Sequence, residues 1–405
     1  FWTSGKTKGN INRAEYTGDV GLESHTRYYW RVSSWDQDDQ VYVSGIQCFE
    51  TAMMHTWITD KEGKSFGPAP MFRKTFLVEK EVASAKLYIS AASYYLLYLN
   101  GEKATDVKLD PGYTHYNKRN LYSTFDVSRL LQKGENVIAT VLGNGFYNAD
   151  APVATWDFEK APWRDRARMI MEIHVEYTDG TVAVIPTDDT WKTSTGSHLY
   201  NNIYSGETYD ARKEISGWKL PHFDDSQWRL AATADSPSPL LVSQTMQPMR
   251  VTREIPAVSM KAFGDTVFVF DFGINLSGVC NVKLRGQEGT KVTLTHGELI
   301  KDNGRIEMRN LDIYYKPMEG IEFQTDTYYL KGEGEELFTP EFTYHGFRYV
   351  EVSSDRPVQL NRNDLTAYFI HTDLEKTGHF SCSNALLNKI WVATNQSYLS
   401  NLHSI

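Results

Sequence analysis

Apolar and polar residues alternate in short runs along most of this chain, and a two-residue period is typical of half-buried β-strands. The first region shows this period at Tyr28, Trp30 and Val32, which alternate with less apolar neighbours. A polar turn follows, and the alternation resumes over residues 41–49. We therefore predict that residues 1–53 are the last strands of an immunoglobulin- or fibronectin-like sandwich, a partial module whose beginning is missing.

Two further regions repeat the pattern and show almost no helical period. Asn100 and Gly101 lie between the apolar run at 95–99 and the Glu-Lys-Ala segment at 102–104, and this dipeptide is a strong signal for a type I′ hairpin. Apolar strands recur after a Ser-Pro-Ser-Pro linker at 236–239. Short strands joined by turns indicate sandwiches, so we predict a carbohydrate-binding-like jelly-roll over 54–238 and a second β-sandwich over 239–376.

The period changes in the last region, residues 377–405. Apolar residues recur there at helical spacing, and Ser383 is a suitable N-cap. We predict one long helix with an apolar stripe that stays exposed unless it packs on a sandwich or a second chain. The stripe consists of Leu386, Leu387, Ile390 and Trp391. The fold class is thus mainly β, with tandem β-sandwich and jelly-roll domains, a partial fibronectin-like module first and one helix last.

Composition and charge narrow the classes of function. Aromatic residues make up 13% of the 405 residues, and their flat faces suit both sugar rings and sandwich cores. The net charge is −9 and no basic stripe is present, which argues against a nucleic-acid partner. No apolar run approaches the ~20 residues of a membrane span. No signal peptide is visible, and because the first residue is not Met we interpret the sequence as a trimmed segment.

The three cysteines do not suggest a disulfide framework. Cys48, Cys280 and Cys382 are odd in number and far apart, and no Cys/His cluster at zinc spacing accompanies them. We expect each to be a small buried apolar residue.

Seven stretches, spread over nearly the whole chain, carry a family resemblance. They are Tyr-Tyr-Trp-Arg-Val at 28–32, Ser-Tyr-Tyr-Leu-Leu-Tyr-Leu-Asn-Gly at 93–101, Leu-Asp-Pro-Gly-Tyr-Thr at 109–114, Leu-Gly-Asn-Gly-Phe-Tyr at 142–147, Phe-Asp-Phe-Gly-Ile-Asn-Leu-Ser-Gly at 270–278, Phe-Thr-Tyr-His-Gly-Phe-Arg-Tyr-Val-Glu at 342–351 and Gly-His-Phe-Ser-Cys-Ser-Asn at 378–384. In this order the chain resembles bacterial α-L-rhamnosidases that have a six-hairpin α/α-barrel catalytic domain. Residues 377–405 resemble the first helix of that barrel.

The resemblance implies hydrolysis of terminal α-L-rhamnose from glycans or glycosides, with inversion at the anomeric carbon. An inverting enzyme needs a carboxylic acid and a carboxylate ~6.5–9.5 Å apart. In the family both acids lie on the barrel, in segments beyond Ile405, so none is carried over to this sequence. We therefore expect an accessory part that is inactive alone and packs on the missing catalytic domain. The resemblance also implies a periplasmic or extracellular location.

Two alternatives stay open. The chain can be a stand-alone carbohydrate-binding module, or it can be purely structural support for the barrel. Adjacent acids such as Asp188 with Asp189, and Asp224 with Asp225, are expected to be solvated loop residues rather than catalytic pairs. Neither a phosphate-binding glycine loop nor a Gly-x-Ser-x-Gly nucleophile motif is present.

The loop after a predicted jelly-roll strand, beginning at residue 143, is the first candidate ligand site. Asn148 and Asp150 supply oxygen atoms that suit sugar hydroxyls or calcium. Trp156 offers a face on which a sugar ring can stack. The family resemblance makes a calcium-assisted rhamnose-binding site possible here, although no cofactor is required. The alternative is an ordinary long loop packed by its own aromatic residues.

A second candidate site is the segment that contains Glu207, Asp210 and Arg212. These side chains can form a polar cluster that faces a sugar, or an internal tie between an arginine and carboxylates. His296 and His345 are predicted to be isolated histidines on strands without a second ligand at metal spacing, so no metal site is predicted.

Overall fold

The computed structural model describes residues 2–9, 14, 16–23, 26–51, 53, 56–61, 66–149, 160–312 and 322–404. The chain forms two compact units, residues 1–54 and 55–405.

The first unit contains two antiparallel strand pairs in its described residues. The pairs are β1 (Arg27–Trp30) with β4 (Gln47–Glu50), and β2 (Ser33–Trp35) with β3 (Val41–Val43). The predicted strands are present, but the expected half-buried alternation is wrong, since Trp30 and Val32 are 46% and 53% exposed. Each of these described sheets has only two strands, so it leaves most of its apolar side chains at the surface.

The second unit begins with strands that mostly belong to a jelly-roll. These strands are β5 (Trp57–Thr59), β6 (Pro70–Val78), β7 (Val82–Ala92), β8 (Tyr94–Leu99), β9 (Glu102–Lys103), β10 (Asn120–Asp126), β11 (Gly134–Gly143), β12 (Arg168–Tyr177), β13 (Val182–Pro186), β14 (Lys192–Thr195), β15 (His198–Asn202), β16 (Gly206–Asp210), β17 (Arg229–Leu230), β18 (Ala232–Ala234) and β19 (Leu241–Ser243). One sheet has the order β18-β5-β12-β7-β10-β19, with β13 added at β12. The facing sheet has the order β17-β14-β6-β11-β8-β9.

The core of the jelly-roll lies between these two sheets. It includes Leu87 and Ile89 from β7, Ile138 from β11 and Met169 from β12, none of which is exposed. Complete burial of such a side chain stabilises the fold by roughly 1.5–3 kcal/mol. The residues of this core recur at every second position along β7 and β12, which is the period expected for one face of a strand.

The hairpin between β8 and β9 confirms the turn predicted from the sequence. Asn100 and Gly101 have φ angles of 52° and 90°, in the left-handed region that a type I′ turn requires. Asn100 also donates from its side chain to the carbonyl of Leu130 and accepts from the backbone N–H of Val137. The turn residue therefore ties the hairpin to the neighbouring strand.

The second sandwich is built around one large curled sheet. The strands of this region are β20 (Met249–Pro256), β21 (Ser259–Ala262), β22 (Val267–Leu284), β23 (Lys291–Gly297), β24 (Leu299–Ile300), β25 (Ile306–Glu307), β26 (Thr325–Tyr329), β27 (Glu336–Phe338), β28 (His345–Ser354) and β29 (Leu365–Thr372), with a short helix α1 (Arg309–Asp312). Strands β24 and β25 pair only with each other. The sheet order is β15-β16-β26-β23-β28-β22-β29-β20, and β21 and β27 pair with β22.

The interior of this sandwich is rich in buried aromatic and β-branched residues. Phe270, Phe347 and Val350 are completely buried in it. Cys280 is also buried there, whereas Cys48 is exposed and Cys382 is only partly buried, so the expectation that each cysteine is buried holds for Cys280 alone.

Strand pairing crosses the predicted domain boundary near residue 238 in both directions. The hairpin β15–β16 joins the second sandwich, because β16 pairs parallel with β26. In return, β19 pairs parallel with β10 of the jelly-roll. The two sandwiches are therefore interlocked, and Glu207 and Asp210 lie on a strand of the second sheet.

The predicted final helix is present as α2 (Ala385–Ser400). Its N-cap is Asn384 and not Ser383, since the Asn384 side chain accepts hydrogen bonds from the backbone N–H groups of the next helical turn. Gln396 contacts Arg253 and the carbonyl of Asn275, which holds the helix against the second sandwich. The helix exposes Leu386, Leu387, Ile390 and Val392, whereas Trp391 is half-buried beside Phe380.

Candidate functional site

Glu207 lies on β16 and is buried, with 1% of its surface exposed. One carboxylate oxygen is 2.8 Å from Nδ1 of His198 on β15. The other oxygen accepts hydrogen bonds from the backbone N–H groups of Glu341 and Phe342, at 3.0 Å each. All of these partners belong to the protein, so Glu207 acts as an internal anchor that orients His198.

Asp210 closes the same strand and is 2% exposed. Its two oxygens accept from Nε and Nη2 of Arg212 at 2.8 Å each, and one of them also accepts from the backbone N–H of Arg212. The Arg212 guanidinium, first through its hydrogen bond and then through its charge, lowers the pKa of Asp210. This is the internal arginine–carboxylate tie that the sequence left open as an alternative.

His198 and Arg212, the partners of these two acids, line a cleft of about 770 Å³ between the sandwiches. Tyr98 enters the cleft from the jelly-roll, and Lys331 lines it from the second sandwich. Trp218 forms part of the wall, stacked on a second tryptophan behind it. Glu207 and Asp210 therefore do not face the cleft themselves, but they fix the side chains that do.

The cleft has mixed polarity that suits a polyhydroxylated ligand. Lys219 lies 4.1 Å from the centre of the Tyr98 ring, and burial followed by the charge of Lys103 lowers its pKa. Glu214 accepts from the hydroxyl of Tyr209 and pairs with Lys331 at 3.1 Å. Cations, a carboxylate and aromatic faces at one opening are the groups that bind sugar hydroxyls and sugar faces in proteins.

Asn148 lies at the end of the jelly-roll and is fully buried. Its side-chain amide donates to Oδ1 of Asn144 at 3.1 Å, and Asn144 in turn bonds to Asn201. Rings of Tyr113, Phe146, Tyr147 and Trp163 pack in the same region. In this arrangement Asn148 braces the loop from inside, and its contact with a ligand stays a prediction.

Gly143 and Gly145 make this tight chain path possible. A side chain at Gly143 would lie 2.4 Å from an atom of Phe342, and Gly145 has a φ of +50°. Asp150 and Trp156, the other two predicted ligand residues of this loop, lie outside the described residues. Their roles, and the calcium expected with them, stay predictions.

Adjacent acids have protein partners in the structure. Asp225 accepts from the buried Arg73, and Asp188 accepts from Lys74 at 2.6 Å. Asp224 accepts from the backbone N–H of Ser226. These side chains stabilise loops.

Glu172 is a different kind of acid, because burial raises its pKa to about 7. A carboxyl that is protonated near neutral pH can serve as a general acid in principle. This residue, however, has no exposed surface and lies in β12, between β7 and β13. A bound glycoside in the cleft therefore cannot reach it.

The prediction that His296 and His345 are isolated histidines is wrong, because they form a cluster with Asp326. They lie with Asp326 on three neighbouring strands, and one donor atom from each residue lies within 4.8 Å of the others. The imidazole rings stack at 4.3 Å, and Nε2 of His345 is 3.0 Å from Oδ2 of Asp326. Burial, followed by the neighbouring His345, lowers the pKa of His296 to about 3.

The sequence could not show this cluster, because strand pairing brings together residues that are up to 49 positions apart in the chain. Register pairs Leu294 with Asp326, and His296 follows on the same face two residues later. His345 begins β28, the strand on the other side of β23. Only the sheet order makes the three residues neighbours.

Within the part of the chain that the structure describes, neither helix has the length and apolar character needed to cross a membrane.

Three sequence models of protein families match consecutive parts of the chain. A model described as Rha78A-like, N-terminal immunoglobulin domain matches residues 1–55. The α-L-rhamnosidase N-terminal domain matches 80–253, and the bacterial α-L-rhamnosidase concanavalin-like domain matches 261–371. These matches follow the order of the three β-regions described above.

Individual proteins agree with the family models. An α-L-rhamnosidase of Formosa agariphila is 31% identical over 100% of this chain, which covers 45% of that protein. The structure of an α-L-rhamnosidase from Dictyoglomus thermophilum superposes with a TM-score of 0.82 at 38% identity, over 95% of this chain and 44% of that one. The structure of a Streptomyces avermitilis α-L-rhamnosidase, solved with L-rhamnose, superposes with a TM-score of 0.76 at 34% identity, over 84% of this chain and 32% of that one.

The chain thus spans less than half the length of these relatives. The agreement covers both sandwiches, their order and the N-terminal module. The chain belongs to the bacterial α-L-rhamnosidase family, of which it carries the N-terminal β-sandwich modules.

Proposed function

We propose that this chain is the non-catalytic accessory part of an α-L-rhamnosidase that removes terminal α-L-rhamnose from glycans or glycosides. The observation that carries the proposal is the ordered match of three rhamnosidase modules along the chain, together with relatives that are more than twice as long. In this proposal the sandwiches support the catalytic domain and guide the substrate.

The chemistry of the described acids supports the non-catalytic part of the proposal. Inverting hydrolysis needs a protonated acid and a free carboxylate across a solvent-accessible site. Glu207 and Asp210, which lie behind the cleft wall, are held by His198 with backbone donors and by Arg212, and Glu214 in the cleft pairs with Lys331. The hydrogen bond from Arg212 lowers the pKa of Asp210, which makes this carboxyl a poor general acid.

The experiment is a glycosidase assay with the purified chain. p-Nitrophenyl α-L-rhamnoside is incubated at micromolar protein concentrations over a range of pH, and a full-length rhamnosidase of the family is the positive control. We expect no release of p-nitrophenol above the buffer blank. Turnover that scales with protein concentration, and that persists through a second purification step, would overturn the proposal.

The cleft supports a second candidate function, direct binding of carbohydrate by this chain. It combines aromatic walls with His198, Arg212 and Lys219, each held by neighbouring side chains. Preorganised polar groups of this kind lower the entropic cost of binding a small polar ligand. This candidate predicts an affinity for L-rhamnose that depends on Arg212.

The jelly-roll loop is a separate carbohydrate candidate, with Asp150 and Trp156 as its proposed contacts and calcium as its proposed ion. Isothermal titration of L-rhamnose with and without calcium separates it from the cleft. If the loop binds sugar, Trp156→Ala abolishes the binding heat, and chelation of calcium weakens it. Unchanged heat in both arms excludes the loop.

The remaining proposals concern location and packing. We propose that the exposed stripe of α2, with Leu386, Leu387 and Ile390, packs on the catalytic domain of the longer enzyme. The family resemblance also supports a periplasmic or extracellular location, where rhamnose-containing glycans are encountered. Substituting the three residues with Ser should raise the solubility of the isolated chain, because an uncovered apolar stripe favours self-association.

A further inference from the structure

We propose that His296, Asp326 and His345, with the backbone carbonyl of Gln324, form a buried structural site for one four-coordinate transition-metal ion of the zinc class. The site lies inside the second sandwich and is independent of the carbohydrate cleft. It would join three neighbouring strands of the ten-stranded sheet through one ion.

The sheet places the three side chains on adjacent strands. Asp326 is on β26, His296 on β23 and His345 on β28, and these strands are consecutive in the sheet. Asp326 and His296 share one face of the β23–β26 pair, and His345, which lies before the part of β28 that pairs with β23, reaches them through its ring contact with His296 at 4.3 Å. An ion here would therefore add bonds across two strand interfaces that backbone hydrogen bonds already align.

The donor atoms are spaced like the ligands of a small ion. Nε2 of His345 is 3.0 Å from Oδ2 of Asp326, and Nδ1 of His296 is 4.0 Å from the same oxygen. Nδ1 of His296 is also 3.1 Å from the carbonyl oxygen of Gln324. Tetrahedral coordination with metal–ligand bonds of ~2.0–2.1 Å requires ligand–ligand distances of ~3.3 Å. The three side-chain donor atoms lie within 4.8 Å of one another, so completing the site requires the most distant of them to approach by up to about 1.5 Å.

The surrounding contacts fix the carboxylate and leave the rings adjustable. Oδ1 of Asp326 accepts from the backbone N–H of Glu207 at 2.8 Å, which leaves Oδ2 directed at the two histidines. The outer ring nitrogens, Nε2 of His296 and Nδ1 of His345, have no hydrogen-bond partner among the described residues. No hydrogen bond at those atoms opposes the ring rotations that coordination requires.

Burial assigns the ion a structural role. His296 and Asp326 have no exposed surface and His345 has 1%. A catalytic metal keeps a coordination position open to water or substrate, whereas a structural site is closed by protein ligands. Two imidazoles with one carboxylate favour Zn²⁺ or Co²⁺ over Ca²⁺ and Mg²⁺, which select oxygen ligands.

The test loads the complete 405-residue chain with cobalt. Because the donor atoms are buried, the chain is unfolded in guanidinium and refolded with CoCl₂, then dialysed and analysed by mass spectrometry for metal and by visible absorption. We expect one Co²⁺ per chain, with the d–d absorption bands of a tetrahedral ion, and displacement of these bands by Zn²⁺. A refolded chain that retains no cobalt after dialysis overturns the proposal and leaves a hydrogen-bonded cluster only.

Variants distinguish this site from metal held elsewhere on the surface. His345→Gln and His296→Gln should each weaken cobalt binding by more than about tenfold, the smallest effect expected when even an outer partner of a metal ligand is lost. His371→Gln is the matched control, since His371 is also a buried strand histidine with hydrogen bonds to Thr252 and Thr372. Equal uptake by all three variants would contradict the assignment.

Discussion

Two arginine–aspartate pairs in this molecule have nearly the same geometry and opposite surroundings. Arg166 donates two hydrogen bonds, of 2.7 and 2.8 Å, to the carboxylate of Asp60. Arg212 donates two hydrogen bonds of 2.8 Å each to the carboxylate of Asp210. The first pair lies inside the jelly-roll, with both side chains at most 2% exposed. In the second pair the arginine is 40% exposed and lines the cleft between the sandwiches.

The difference shows that environment, and not contact geometry, separates a structural pair from one that is available to a ligand. Arg166 also donates to the carbonyl of Pro68, so its guanidinium is committed to the interior. Arg212 uses Nε and Nη2 on Asp210 and presents the rest of its guanidinium to the cleft. Loss of the first pair should therefore affect stability, and loss of the second should affect binding.

Asp60→Ala should produce the largest loss of stability. The substitution leaves the Arg166 guanidinium buried without its counter-charge, which typically costs about 3–5 kcal/mol. Guanidinium-induced unfolding, followed by fluorescence, measures the change. Asp210→Ala is the comparison, and equal losses in the two variants would break the distinction between the pairs.

Glu172→Gln should change the pH dependence of stability. Burial raises the pKa of Glu172 to about 7, above its ordinary value of 4.5, so the folded chain keeps a proton that the unfolded chain has released. This contribution to stability is complete below pH 4.5 and is lost as the pH rises through 7. As the pH rises from 4.5 to 7, the free energy of unfolding therefore falls by up to about 1.4 kcal/mol per pH unit.

Unfolding midpoints in urea between pH 4.5 and 8 give the test. The variant should show a flatter profile than the wild type over this interval. Parallel profiles would show that Glu172 ionises in the folded chain at the same pH as in the unfolded chain.

Glu207→Gln should lower the free energy of unfolding by less than Asp60→Ala does. The carboxylate accepts from His198 and from two backbone N–H groups, whereas an amide has one acceptor oxygen and an added donor. One buried donor is then left without an acceptor, at a cost of about 1–3 kcal/mol. Equilibrium unfolding measures this loss, and an unchanged midpoint would mean that Glu207 is not an anchor between the sandwiches.

Arg212→Ala should have the smallest effect on stability. The guanidinium is 40% exposed, and the backbone N–H of residue 212 remains as a donor to the buried Asp210 carboxylate. Removing the side chain should therefore cost about 1–2 kcal/mol, less than the loss of a fully buried partner. Arg348→Ala is a close control, since Arg348 forms a bidentate pair with Asp271 and is likewise 40% exposed, but does not line the cleft. A large loss of stability in Arg212→Ala alone would assign Arg212 to the structural class.

Local patterns in the sequence predicted the fold well where a short-range rule decides the structure. The Asn100–Gly101 turn follows from backbone preferences of two adjacent residues, and the final helix follows from its apolar period. The exact cap did not follow, because Ser383 and Asn384 are both good N-caps and only the chain path selects Asn384.

The sites were less predictable, because they depend on pairing between distant segments. Glu207 and Asp210 were identified as notable residues, but their burial follows from β16 joining β26 of the other sandwich. The neighbours of His296 were missed for the same reason, since Asp326 and His345 reach it only through sheet order. A single sequence identifies residues with reactive or charged side chains. It does not show which of them are close in space, because strand pairing decides that.

Isothermal titration of L-rhamnose into the wild-type chain, Arg212→Ala and Arg348→Ala is the most direct test of carbohydrate binding in the cleft. We predict binding heat for the wild type and for Arg348→Ala, and an affinity lower by about 10–100-fold in Arg212→Ala, which corresponds to loss of a hydrogen bond from a charged donor. Absence of heat with the wild type, or equal affinity in all three proteins, would contradict a carbohydrate role for the cleft and leave the sandwiches as structural support.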